Sequence, residues 1–366
     1  MRIREMRITP VAVPDPPLWN AAGVHQPFAL RSIVELIADN GLIGLGEGYG
    51  GARALAALEA ARAHVLGADP YELSRLEALI DRRAFAPIEV ALLDLIGKAT
   101  DRPVCDLLGG RLRDRVEFAA YLFFKYAADE RYRGEDPWGE VMTPAAMVGE
   151  ARRFVEQWGF RVLKLKGGVL SPRDEVETIR RLHAAFPEHK LRIDPNASWS
   201  VETSVAVAEE LARLNVDYVE DPTRGMEGMA ELRRRITLPL ATNMCVTAFE
   251  HLPDAVRLEP VDVILTDHHF WGGLRATVRL SYFCRDFGLG VSMHSNTHLG
   301  ISLAAMLHVG TAMPHVTHAL DTHYPWLAAD VITEPWQFRD ACLSIRDAPG
   351  LGVELDRDRL AAMHQW

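Results

Sequence analysis

Cysteine is scarce in this sequence, and no two cysteines lie close enough to form a CxxC pair. The 366 residues include 4 cysteines, which are widely spaced: Cys105, Cys245, Cys284 and Cys342. Such spacing argues against a disulfide framework or a zinc ribbon and fits the reduced thiols of a cytosolic enzyme. We therefore expect a cytoplasmic protein.

Long apolar segments and basic runs are absent as well. No stretch approaches the ~20 apolar residues that a membrane-spanning helix needs, and residues 1–6 lack the apolar region of a signal peptide. Acidic residues outnumber basic ones, 50 against 40, for a formal net charge of −10. We therefore expect neither a membrane nor a nucleic acid as a partner. The length suggests two domains or a barrel with a cap.

The first part of the chain predicts an α+β domain over residues 1–113. Residues 2–6 and 32–37 have strand character, and Asn40-Gly41 favours a tight hairpin turn into a partner strand at 42–46. A helical region follows, in which apolar residues recur at spacings of three and four.

A Pro-rich segment, residues 14–27, separates the first two predicted strands. Loops of this length inside a compact domain are usually functional or mobile. We expect this loop to fold over the mouth of the catalytic domain and to exclude water from it.

After residue 113, short apolar runs recur at a steady interval, and most of them end in a polar residue. The runs are 118–124, 162–166, 191–194, 217–220, 240–243, 261–267, 289–294 and 319–321. From Lys166 to Asp321, successive ends lie 28, 26, 23, 24, 27 and 27 positions apart. One strand, one helix and two loops fit this interval, so the spacing predicts a parallel barrel of about eight βα units. Such a barrel carries its active site at the C-terminal ends of its strands.

Three successive predicted strands end in oxygen ligands, namely Asp194, Glu220 and Asn243. Two carboxylates and one amide oxygen suit Mg²⁺, which keeps open positions for water or substrate. Each residue alone could equally cap a helix or face solvent. Three consecutive strand ends make the metal site the better interpretation.

Lys164 and Lys166 are two positions apart, so both point to the same side of their strand. Two ammonium groups near a divalent cation depress each other's pKa, which would leave one able to act as a base near neutral pH. The alternative is that both lysines are solvated on the protein surface. The apolar residues that flank them in the sequence make this alternative less favourable.

Asp267 and His294 end neighbouring strands, and a carboxylate beside an imidazole fixes its tautomer and supports its protonation. The roles of His268 and His269 remain open. The other histidines of the barrel are assigned structural or surface roles: His298, His308, His315 and His318.

These side chains together predict abstraction of a proton α to a carboxylate, with the developing enediolate charge stabilised by Mg²⁺. Racemisation, elimination and ring opening share that step, and the residues alone leave all three open.

As a set, the motifs Lys164-Leu-Lys166, Asp194-Pro-Asn196, Glu220-Asp-Pro, Asn243 and Asp267/His294 resemble the enolase superfamily, in its mandelate-racemase-like branch. The resemblance covers essentially the whole chain. It implies an α/β fold, a modified (β/α)7β barrel of TIM type over 114–329 with an α+β capping domain over 1–113. The C-terminal segment, about 330–366, is implied to pack back onto the cap.

Within that branch the sequence is most similar to the glucarate dehydratases. This resemblance implies that Lys166 and His294 are opposed bases, that Lys164 modulates Lys166, and that Asp267 supports His294. His294 would protonate the departing β-hydroxyl, to give a 2-keto-3-deoxy acid sugar. The implied substrate-binding residues are Asn20, His25, Tyr121, Phe123, Asn196, Asn296 and His323. Mg²⁺ is the implied cofactor, and a homo-oligomer is expected.

The sequence ends at Trp366, whereas glucarate dehydratases continue into a longer tail, so a contact to the distal carboxylate of glucarate is not carried over. Other acid sugars are therefore open as substrates. The alternatives are a racemase or epimerase and a non-catalytic protein that binds acid sugars.

Overall fold

The structure, a computed structural model, describes residues 1–132 and 136–363. The N-terminal part contains five strands: β1 (Ile3–Pro14), β2 (Leu18–Asn20), β3 (Gly23–Val24), β4 (Phe28–Ala38) and β5 (Ile43–Tyr49). Strands β1, β4 and β5 form an antiparallel sheet, and the pairing of Ile37 with Ile43 confirms the predicted hairpin.

Four helices complete the capping domain: α1 (Ala52–Val65), α2 (Leu73–Leu79), α3 (Arg82–Thr100) and α4 (Val104–Leu107). Helix α3 begins where Asp81 accepts a hydrogen bond from the backbone N–H of Arg83 at 3.0 Å, an N-cap. The helix lies buried between the sheet and the barrel.

Glycines on β5 set the distance between the sheet and α3. A Cβ atom on Gly46 would lie 2.0 Å from the carbonyl oxygen of Pro87, and one on Gly44 would lie 2.0 Å from that of Ala91. Only glycine allows the helix backbone to approach the strand this closely.

Within the described residues, eight parallel strands form the barrel: β6 (Val116–Lys125), β7 (Val162–Lys166), β8 (Lys190–Asp194), β9 (Val216–Glu220), β10 (Leu240–Thr242), β11 (Val263–Thr266), β12 (Gly290–Met293) and β13 (Leu320–Thr322). Each of these strands coincides within a few residues with a predicted run. Strand β13 pairs with β6. The gap between β12 and β13 is bridged by the backbone N–H of Thr317, which donates to the carbonyl of Val291 at 3.1 Å.

Helices connect the strands on the outside: α5 (Pro144–Trp158), α6 (Pro172–Ala185), α7 (Val201–Leu211), α8 (Gly225–Arg233), α9 (Leu252–Leu258), α10 (His268–Trp271), α11 (Leu274–Asp286) and α12 (Gly300–Ala312). Short 3-10 turns lie at Phe249–His251 and Tyr324–Trp326. The predicted α/β fold, a barrel with an N-terminal cap, is confirmed.

The C-terminal segment contains β14 (Cys342–Leu343) and α13 (Arg357–Ala362). Its backbone contacts α3, because the N–H of Leu351 donates to Asp94 at 2.7 Å. The guanidinium of Arg357 pairs with Glu35 on β4. Residues 364–366 lie outside the described residues.

The Pro-rich loop contains regular structure, because β2 and β3 form a small hairpin within it. Strand β2 pairs with the end of β6, where Leu18 faces Lys125. The tip of the hairpin reaches the barrel mouth: a Cβ atom on Gly168 would lie 2.8 Å from the Cβ of Ala21 and 2.5 Å from the carbonyl of Pro195.

In the part of the chain that the structure describes, no helix combines the length and the apolarity needed to cross a membrane. The four cysteines are free thiols, and Cys105 and Cys284 are buried.

We predict that Gly46→Ala lowers the free energy of unfolding by roughly 2–3 kcal/mol, because the new methyl group overlaps the Pro87 carbonyl. Gly149→Ala is the matched control, since Gly149 is exposed on α5 with nothing within 4 Å. It should raise stability by up to ~1 kcal/mol. Denaturant unfolding followed by circular dichroism measures both, and an equally stable Gly46→Ala variant would contradict the packing.

His308 joins three parts of the fold. Its Nδ1 accepts from the backbone N–H of Cys105 at 3.2 Å, and its Nε2–H donates to the carbonyl of Leu351 at 3.1 Å. Burial lowers the pKa of His308 to about 4, below the ordinary value near ~6.5 of an unfolded chain. The folded state therefore binds fewer protons than the unfolded state over this range.

Stability from His308 should be complete above pH ~6.5 and should fall as the pH drops towards ~4, by at most about 1.4 kcal/mol per pH unit. We expect His308→Gln to flatten the pH dependence of the unfolding free energy between these values. His64→Gln, at an exposed histidine of α1, should leave the slope unchanged. Equal slopes for His308→Gln and the unchanged chain would show that His308 titrates normally.

Candidate active site

The predicted lysines and ligands meet at the C-terminal ends of β7 to β10. Lys164 and Lys166 lie on β7, Asp194 ends β8, Glu220 ends β9, and Asn243 follows β10. All five side chains are buried. Parallel strands bring residues that are far apart in the sequence to one edge of the barrel.

The two ammonium groups lie on one side of β7, as their spacing predicts. Lys166 Nζ is 2.6 Å from Asp194 Oδ2, and Lys164 Nζ is 2.6 Å from Asp321 Oδ2. Lys164 also forms an ion pair with Glu220 and lies 3.8 Å from Asp194. Both ammonium groups lie about 5 Å from the centre of the Tyr121 ring, at 5.0 and 4.9 Å, within cation–π range.

The carboxylates change the expected electrostatics of Lys164. Burial lowers its pKa, but the charges of Asp321, Glu220 and Asp194 outweigh burial, so its pKa lies above the ordinary value. The sequence-based expectation of mutually depressed lysine pKa values, made for lysines beside a bound cation, did not include these carboxylates, and it stays a prediction. Lys164 is held as a cation.

The ligand set fits a hard divalent cation. Both carboxylate oxygens of Glu220 are buried and accept no hydrogen bond within the described residues, although the Lys164 ammonium is close. Burial and the charge of Asp194 raise the pKa of Glu220 well above its ordinary value. A bound cation would satisfy such oxygens. Two carboxylates and an amide are the donors that Mg²⁺ prefers.

Asp221 holds the backbone at Asn243 in place through hydrogen bonds. Its Oδ2 accepts the backbone N–H of Asn243 at 2.8 Å, and its Oδ1 accepts the hydroxyl of Thr242 at 2.5 Å. Asp221 has φ +37, a left-handed conformation that non-glycine residues adopt rarely. Asn196 and Thr297, at φ +49 each, share this conformation at the barrel mouth. Such strain is common at functional sites.

Asp267 and His294 form the predicted pair. His294 Nδ1 lies 3.2 Å from Asp267 Oδ2, and the Tyr49 hydroxyl donates to the same oxygen at 3.2 Å. Burial, together with the lysine charges, outweighs Asp267 and lowers the pKa of His294. Asp267 alone would raise that pKa, as the sequence predicts, but the net shift favours the neutral ring.

A second cluster surrounds Asp15 in the Pro-rich loop. His25 Nδ1 lies 2.8 Å from one oxygen of Asp15, and His323 Nε2 lies 3.3 Å from the other. Burial raises the pKa of Asp15, but the two histidines outweigh it and bring the pKa to about 2. Asn20 Nδ2 lies 3.1 Å from His25 Nε2, and the Phe123 ring packs edge-on against both imidazoles.

The remaining predicted substrate residues lie at the same mouth. The Tyr121 hydroxyl donates to Asp321 at 3.0 Å, beneath the lysines. The backbone N–H of Asn196 donates to Asp194 at 3.0 Å, and the side chain of Asn196 is half-buried. Asn296 is exposed.

Sequence reasoning missed Asp321, Asp15 and Tyr49 as members of the site. Asp321 had a signal, because it is the last residue of the strand-end series. Asp15 is an acidic residue among prolines, and nothing in the local sequence links it to His323, 308 positions away. Tyr49 comes from the capping sheet, and no spacing rule connects that sheet to β11.

We predict that Asp321→Asn lowers the free energy of unfolding by about 3 kcal/mol, because Lys164 would lose a buried carboxylate and Arg192 would lose one of its two. Asp340→Asn, at an exposed carboxylate, should change stability by less than ~0.5 kcal/mol. Chemical denaturation measures both. Equal stability of the two variants would show that Asp321 does not balance the buried cations.

Family models match both parts of the chain. Residues 3–109 match the mandelate racemase / muconate lactonizing enzyme N-terminal domain, and residues 146–359 match the enolase C-terminal domain-like family. A protein of Streptomyces coelicolor named "Probable glucarate dehydratase" is 46% identical over 399 aligned positions, covering 100% of this chain and 91% of the relative.

Solved structures with the same fold include metal-bound ones. An enolase from Thermobispora bispora, complexed with magnesium and formate, superposes with a TM-score of 0.96 at 48% identity, covering 100% of this chain and 92% of that one. An enolase from Pseudomonas fluorescens with bound magnesium, potassium and tartrate gives 0.96 at 46% identity, covering 99% and 92%.

Proposed function

Because this chain belongs to the enolase superfamily, we propose that it is a Mg²⁺-dependent acid-sugar dehydratase, with glucarate as the first substrate to test. One observation carries the proposal. Lys166 and His294, two side chains that can accept and donate a proton, lie at one end of the barrel. The same end carries the proposed metal ligands Asp194, Glu220 and Asn243. The proposed reaction uses both parts, the bases to move protons and the metal ion to stabilise the negative charge.

Asp194, Glu220 and Asn243 would hold the cation. When bound, it supplies positive charge against the substrate carboxylate and against the negative charge that develops as the α-proton leaves. Lys164, fixed as a cation by its carboxylates, adds positive charge at the same place.

Lys166 is the proposed base on one face of the substrate. Its ammonium group is paired with Asp194, so Lys166 would accept the α-proton only after it has released one proton to solvent.

His294 is the proposed base and acid on the other face. Burial keeps it neutral at rest, and Asp267 stabilises the imidazolium that forms when it takes a proton. In dehydration with His294 as the base, the imidazole takes the α-proton, and the electron pair of the α C–H bond forms the C=C bond. The β C–O bond breaks with its electron pair on oxygen, and the imidazolium returns its proton to the departing hydroxide, which leaves as water. The enol then becomes a ketone.

The residues around the Pro-rich hairpin are proposed to bind the sugar. Asn20, His25 and His323 offer hydrogen bonds beside Phe123, and Tyr121 forms the floor under the two lysines. Asn196 and Asn296 line the opposite loops. The hairpin covers this region, which would limit the access of water to the reacting carbon.

We predict turnover of an aldarate to a 2-keto-3-deoxy acid in the presence of Mg²⁺, measured as keto product across a panel of aldarates and aldonates. Lys166→Ala and His294→Asn should each reduce kcat by at least ~100-fold. Lys190→Ala is a suitable control, because Lys190 is exposed and lies at the first residue of β8, at the other end of the strand from Asp194. No product from any acid sugar, with Mg²⁺ bound and the fold intact, would refute the dehydratase.

The same assay in heavy water separates the alternatives. Deuterium at the α-carbon without keto product would identify a racemase or epimerase that uses the same bases. Saturable binding of an acid sugar with neither exchange nor product would identify a non-catalytic binding protein.

A further inference from the structure

A group of metal-ligating side chains shares Asp267 with the proposed catalytic pair. Asp267, His269 and His298 are buried, and one ligand atom from each lies within 4.8 Å of the other two. Asp267 and His269 come from the junction of β11 and α10, and His298 comes from the segment between β12 and α12. This group is distinct from the oxygen ligands on β8 to β10.

His269 has a partner at each of its ring nitrogens. Nε2 lies 3.0 Å from the backbone carbonyl of Glu47, 3.2 Å from Ser302 Oγ and 3.4 Å from the Arg31 guanidinium. Nδ1 lies 2.9 Å from Asp267 Oδ1, within hydrogen-bond distance. A metal ion bound between Asp267 and His269 would take the place of the proton in that contact, and Nε2–H would donate to Glu47. A histidine that donates its other N–H to a carbonyl is typical of metal ligands.

His298 provides an independent indication. Neither of its ring nitrogens has a hydrogen-bond partner within the described residues, although the side chain is only 1% exposed. Its Nε2 points towards Asp267 Oδ2 at 3.7 Å, too far for a hydrogen bond. Burial lowers the pKa of His298 to about 4, so the ring is in the neutral form that binds metals.

We propose that Asp267, His269 and His298 form a binding site for a divalent transition metal ion, with Zn²⁺ as the prototype. Two imidazole nitrogens and one carboxylate oxygen are typical ligands of Zn²⁺ and Co²⁺, whereas the Asp194 site offers oxygen alone. The ligand atoms would have to move closer together by less than about 1–2 Å to reach the ~2.0–2.2 Å bond lengths of Zn²⁺.

Occupancy would have a consequence for His294. The metal would take Asp267 Oδ2, which now lies 3.2 Å from His294 Nδ1, and the imidazole would lose its orienting partner. We therefore expect Zn²⁺ to inhibit turnover in a way that added Mg²⁺ does not relieve. This consequence depends on the proposed function, but metal binding itself does not.

The test uses the full chain at saturating Mg²⁺, titrated with Co²⁺ and followed by visible absorption and by metal analysis after gel filtration. We expect about one Co²⁺ per chain, displaced by Zn²⁺. His298→Gln should weaken Co²⁺ binding by at least about tenfold. His268→Gln should retain it, since His268 is equally buried, has no hydrogen-bond partner among the described residues and lies outside the ligand group. Asp194→Asn should retain it as well.

Absence of stoichiometric Co²⁺ in the unsubstituted chain would overturn the proposal, and so would Co²⁺ lost in Asp194→Asn but kept in His298→Gln. Circular dichroism verifies the fold of each variant. If His298→Gln does not fold, a second measurement takes its place, namely the change in unfolding temperature on addition of Zn²⁺ to the unsubstituted chain and to His268→Gln. We expect Zn²⁺ to raise the unfolding temperature of both. If neither temperature rises, the proposed site is wrong.

Discussion

The charge balance between two buried ammonium groups and three carboxylates governs the barrel mouth. Lys164 and Lys166 are buried, and burial of a charge without a partner is costly. Asp194, Glu220 and Asp321 pair with the two ammonium groups and hold them in position. The chemistry that we propose depends on this balance, because Asp194 and Glu220 contact the lysines and are also proposed ligands of the metal ion.

The capping domain is fixed to the barrel beside that mouth. The close approach of α3 to the glycines of β5 leaves the other side of the helix free to contact the barrel, where Glu89 accepts the N–H of Leu274 at the start of α11. Tyr49, at the end of β5, reaches Asp267. His294, the proposed base that follows β12, is therefore supported by residues from both domains.

Much of the architecture follows from the sequence, because strand ends and their spacing are local signals. The series from Lys166 to Asp321 predicted the barrel strands, and the side chains that we propose as metal ligands and bases lie at the C-terminal ends of those strands. Residues that enter from elsewhere escaped prediction. Tyr49 and Asp15 reach the site through tertiary packing, and the sign of the Lys164 pKa shift depends on Asp321, whose contact with Lys164 no spacing reveals.

The small hairpin in the Pro-rich loop is built onto β6, the strand that also carries Tyr121 and Phe123. The hairpin and these two rings are therefore joined through one sheet. Sequence change in the hairpin would alter the space over the barrel mouth without changing the strand ends that carry the proposed bases. If the proposed function holds, substrate preference and reaction type are set by different segments of the chain, so the first can change in evolution while the second is retained.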